Sequence, residues 1–180
     1  MITLMRVTAA LTLFFALWSG SVLADCQSEL ASRLSTDLTL SYQAFDQTEQ
    51  AGFRILEQAG CYKEAAALIA AYIEHNNSKD VSLTWHLAQM EGLAGNYQQA
   101  IKHGKAVLNE HEDLSVYPMY WNDYVLGNIA FWQRDKQQLQ THIQNVRQGE
   151  HFKPNAINLR YLEKLSNNFE LSYLEAIFGT

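Results

Sequence analysis

Ser82 to Asn109 reads SLTWHLAQMEGLAGNYQQAIKHGKAVLN. Leu87, Met90, Leu93 and Ala94 recur at helical spacing, Gly95-Asn96 interrupts them, and Ala100, Ile101, Val107 and Leu108 resume the stripe. The spacing predicts a helix, a glycine turn and a second helix. The frame recurs on either side. Gly60 lies 35 residues before Gly95, and each is followed two residues on by Tyr62 or Tyr97 and five on by Ala65 or Ala100. A looser copy stands at Arg134, 39 residues beyond Gly95, with Leu139 in the alanine place. Pro118 and Pro154 lie 36 apart, each placed to open a helix. Glu64 to Glu74, EAAALIAAYIE, is made of strong helix formers with Ala67, Leu68, Ala71 and Tyr72 on one face. The predicted fold is all-α, antiparallel helical hairpins stacked as a short α-solenoid. Helices of about 12–16 residues are expected, with Ser82, and Asp46 followed by Glu49, as helix caps.

On these residues the chain resembles the tetratricopeptide repeat family. Leu87-Ala88, Gly95, Tyr97, Ala100 and Val107-Leu108 carry the likeness, and Leu126-Gly127 before Arg134 match the family's apolar-small pair. Ala65, Ala88, Ala100 and Gly127 are small, which lets paired helices approach closely. The repeats are degenerate: Phe53 takes a small position, Trp85 is one residue late, and Gly104 and Tyr72 break the second-helix pattern. The resemblance implies a cap over 25–46, repeats over about 47–76, 82–110 and 118–149, and an incomplete unit over 154–180.

The remaining residues, 1–24, read as an export signal. Arg6 gives a short positive region, Val7 to Trp18 is uncharged and largely apolar, and Val22-Leu23-Ala24 offers a cleavage site. Cleavage after Ala24 leaves a periplasmic or secreted product with no stable membrane insertion. Cys26 and Cys61 are then an even pair in an oxidising compartment and are expected to be bridged. Closing a loop of about 36 residues stabilises by about 3–4 kcal/mol in the chain-entropy account.

Thirteen Lys and Arg against nineteen Asp and Glu give a formal net charge of −6. With no basic cluster, nucleic acid and anionic lipid are poor partners. His75, His86, His103, His111, His142 and His151 show no metal-binding spacing, and no nucleophile elbow or phosphate loop is present. No metal, no cofactor and no enzyme activity are expected. The aromatics are more informative. In the resembled family, residues about 13, 10, 9 and 6 before each turn residue line a concave groove. That count brings Arg54 forward in the first unit, Trp85, His86 and Gln89 in the second, and Trp121, Tyr124 and Asn128 in the third. Aromatic anchors beside amide and guanidinium groups fit a groove that binds a protein or peptide in the cell envelope. Arg54, His86 and Gln89 would alternatively form a pocket for a small molecule or an enzyme's substrate. Trp132 reads as core.

Overall fold

A computed structural model of the chain describes residues 19–179, with side chains from Asp25 onward. The expected signal, apart from the helical backbone of its last residues, lies outside them. Among the described residues there are ten helices and no strands: α1 (Ser19–Thr36), α2 (Tyr42–Asp46), α3 (Arg54–Gln58), α4 (Tyr62–Asn76), α5 (Val81–Leu93), α6 (Tyr97–Ala106), α7 (Trp121–Trp132), α8 (Lys136–Gln148), α9 (Lys153–Asn167) and α10 (Tyr173–Phe178). From α3 to α10 each helix packs on the next, α1 packs on α3 and α4, and α10 returns to α5.

The turns explain the repeat frame. Gly60, Gly95 and Arg134 all take positive φ, at 74°, 80° and 61°. In each, the following N–H reaches back to a carbonyl five residues earlier: Cys61 to Leu56, Asn96 to Glu91 and Asp135 to Ala130, all at 2.8 Å. This is the Schellman closure, which satisfies helix-end carbonyls and needs a left-handed residue. Arg134 accepts a conformation that costs a side-chain-bearing residue about 1 kcal/mol or more. Its guanidinium offsets this by lying over the Phe131 and Phe169 rings and donating to Leu171 O at 3.0 Å.

Burial follows the apolar stripes, with Phe45, Phe53, Leu68, Phe131, Leu139 and Leu162 wholly enclosed. Close approach depends on small residues. A Cβ on Gly92 would stand 2.8 Å from the Trp132 indole nitrogen, and one on Gly127 2.8 Å from Leu162. Cys26 and Cys61 are bridged, with Cα atoms 5.5 Å apart, joining α1 to the start of α4.

Two local expectations are corrected. The first unit's opening helix does not run from Gln47. It is the five residues of α3, because the chain over 47–53 turns tightly across Phe45, with Gly52 at φ 54° and its Cβ position filled by the Phe45 carbonyl. The caps also differ. Asp80, not Ser82, caps α5 by accepting from Leu83 N–H at 3.0 Å, and Ser41 caps α2 while Asp46 ends it.

The C-terminal segment crosses the hairpin turns in reverse order. Leu171 O meets Arg134, Tyr173 N–H donates to the Tyr97 hydroxyl at 2.9 Å, and the Phe178 ring stacks on Tyr62. Ser172 and Glu175 form a reciprocal capping box that starts α10 at that place.

Candidate functional site

The longest connection between hairpins runs from the end of α6 to the start of α7, over 107–120. Such a stretch has many backbone groups to satisfy, and asparagine does much of it. Asn109 and Asn122 exchange bonds, Asn109 N–H to Asn122 Oδ1 and Asn122 Nδ2 to Asn109 O, both at 2.8 Å. Glu112 Oε1 accepts from Asn122 N–H at 2.8 Å, filling an orphan donor of α7's first turn. The Trp121 indole N–H donates to Val107 O at 2.8 Å. Beneath the loop the buried Asn155 accepts from Tyr120 N–H at 3.0 Å and donates to Pro118 O at 2.7 Å and Gly149 O at 2.9 Å.

The tied loop walls a cleft of about 570 Å³ between the starts of α5 and α7 and the end of α6. Val81, Val107, Leu108, Met119 and Trp121 supply its apolar lining, with Tyr117 beside them. Glu110, Glu112 and Asp113 line it too, and no basic side chain does. Tyr117 is 57% exposed and Val81 52%.

The expected groove residues are distributed differently. Trp121, half-buried, lines this cleft. Trp85 is only 4% exposed and sits among the rings of Trp121, Tyr124 and Trp132, with centroids 5.7, 5.5 and 6.1 Å away. Tyr124 is buried beside it, and that burial pushes its hydroxyl well above the ordinary range. Asn128 is wholly buried, donating to Tyr124 O at 2.9 Å and accepting from the Tyr173 hydroxyl at 2.7 Å. Gln89 lines a small cavity with Tyr173, Ile177 and Phe178. The chain's own α10 therefore covers the face on which Gln89 and Asn128 were expected to meet a partner.

Arg54 and His86 do come together, with Nη2 and Nε2 3.5 Å apart, at the outer limit of hydrogen bonding. His86 Nδ1 lies 2.6 Å from Asp46 Oδ1, and Arg54 pairs with Glu57 at 2.8 Å and with Asp46 O at 3.1 Å. These side chains tie α2, α3 and α5 together, and Gln89 belongs to a different cavity. A second pair repeats the device, His142 Nδ1 with Asp123 Oδ1 at 2.7 Å, between α7 and α8.

Burial would raise the Asp46 carboxyl, but the hydrogen bond and charge of His86, with help from Gln47 and Tyr42, outweigh it and hold the group below its ordinary 3.8. A depressed carboxylate contributes stability that is present above its unfolded value and lost as pH falls through its folded one. Thermal melts of wild type and Asp46→Asn should therefore differ most near neutrality, and the gap should shrink as pH drops below 3.8. A gap independent of pH would show that the charge of Asp46 contributes nothing.

Two of the residues that build the cleft's frame, Asn109 and Asn155, were not singled out in the sequence as functional. Asn109 has a signal only in standing where helical periodicity lapses, and Asn155 only in following the helix-opening Pro154. Among the described residues no helix is long and apolar enough to cross a membrane, and no three His, Cys, Asp or Glu side chains gather to hold a metal ion. No family model, curated protein or solved structure matches the chain.

Proposed function

We propose that the chain is an exported, non-enzymatic scaffold that binds a protein or peptide partner in the cell envelope. The repeated left-handed turns, each closed by the same backbone bond, support reading the helices as a short tetratricopeptide-like solenoid. The disulfide is compatible with an oxidising compartment.

The binding surface in this reading is the Trp121 cleft. The observation that carries it is the apolar cleft itself, with a half-buried Trp and an exposed Tyr on a loop pinned by Asn122, Glu112 and the Trp121 indole. Pre-set walls spare a binding site the ordering cost that a mobile loop would pay. The scale is right as well, since sites for small groups and side-chain anchors fall between about 300 and 1,000 Å³.

Affinity capture from an envelope extract tests the reading, with the wild-type chain compared against Trp121→Ala. Wild type should retain a protein that the variant loses. Identical recovery on both would remove the cleft from the binding role. Fractionation of the same cells should place a mature chain starting at Asp25 outside the cytoplasm.

A further inference from the structure

We propose that the Trp121 cleft takes an extended segment of a partner protein in which an apolar side chain is flanked by Lys or Arg. The proposal rests on the partner-binding reading above and specifies the chemistry of the occupant.

Charge decides between occupants. The cleft's apolar lining is accompanied by Glu110, Glu112 and Asp113 and by no basic group. Glu112 and Asp113 have local hydrogen-bond partners, in Asn122 N–H for the first and in Ser115 for the second, but those bonds leave their negative charge in place. Glu110 is exposed and makes no ion pair among the described residues. Carboxylates of one sign around an apolar site draw in a cation and repel an acidic segment. The rings of Tyr117 and Trp121 add faces that a Lys or Arg head can lie over.

A second copy of this chain is a poor occupant, because its formal net charge is −6 and like charges would face each other. A free small cation would satisfy the carboxylates and leave Val81, Tyr117 and the half-buried Met119 in water. A basic residue beside an apolar one satisfies both parts. The exposed Val81 and Tyr117 lie where such a segment enters.

A random hexapeptide array probed with the full chain tests this, using wild type, Glu110→Lys and Tyr117→Ala, with tetramethylammonium as a competing small cation. Both substituted side chains are exposed, and unchanged thermal melts verify that the fold is kept. Bound peptides should be enriched in Lys or Arg adjacent to aliphatic or aromatic residues. Glu110→Lys should weaken them by about tenfold, as an attraction is replaced by a repulsion at an exposed site. Tyr117→Ala should weaken them by a similar factor.

Enrichment of neutral or acidic peptides that is still lost with Tyr117→Ala would overturn the charge proposal and leave the cleft as a binding site. Basic peptides whose binding neither substitution changes would overturn both, since they dock elsewhere. Displacement of bound peptides by tetramethylammonium at comparable concentration would overturn the segment in favour of a small cation. No enrichment at all would also overturn the proposal.

Discussion

Replacing Trp85 with alanine is expected to lower the melting temperature by about 6–20 °C. Truncating a core Trp costs about 3–5 kcal/mol, and each kcal/mol moves the midpoint of a chain this size by about 2–4 °C. Trp85 is at the centre of a ring cluster with Trp121, Tyr124 and Trp132, so no neighbour can close the void without breaking its own edge contacts. Trp121→Ala should shift the melt by less than half as much, because one side of that ring already faces the cleft. Its loss removes the bond to Val107 O and part of the cleft lining. Circular dichroism melts of the two variants side by side decide the matter. Equal shifts would show that Trp121 is as much core as Trp85.

Breaking the Cys26–Cys61 bridge should cost about 3–4 kcal/mol, through the freedom restored to the unfolded chain. The expected result is a clear fall in melting temperature on reduction, matched by Cys26→Ser paired with Cys61→Ser. Because the bridge fastens α1 to the start of α4, hydrogen exchange should rise first in α1, where Gln27 also meets Glu64 at 2.5 Å. Mass spectrometry of the unreduced protein should find it two hydrogen atoms lighter than the dithiol. An unchanged melt after verified reduction would mean that α1 is held by packing alone.

The hairpin frame was legible in the sequence because it depends on local chemistry. A left-handed residue is needed at each turn, and Gly60 and Gly95 announce it. The pairing of cysteines was legible too, since the chain holds only two. Burial was less so. Counting back from Gly95 and Arg134 places Trp85, Tyr124 and Asn128 on the right helices, but rings of α7 enclose Trp85 and a segment that returns from far along the chain covers Asn128. Tyr173 reaches Asn128 across 45 residues, and no local pattern announces that bond. Asp46 illustrates the same limit. Beside Glu49 it resembles a helix cap, whereas its partner is His86, 40 residues away. The same count brought Trp121 forward, and its ring stays half-buried because it starts a helix beside the loop over 107–120.

The crossing of α10 over the hairpin turns changes how the molecule should come apart. A row of helix pairs in which each touches only its neighbours can unzip from either end, one pair at a time. Here the last segment bonds to Arg134, then Tyr97, and stacks on Tyr62, so the final residues touch the first pair as well as the third. Fraying at one end then breaks bonds at the other, and the row behaves as a closed buckle. With the disulfide intact, thermal unfolding of the hairpins is therefore expected to be all-or-none, with calorimetric and van't Hoff enthalpies in agreement.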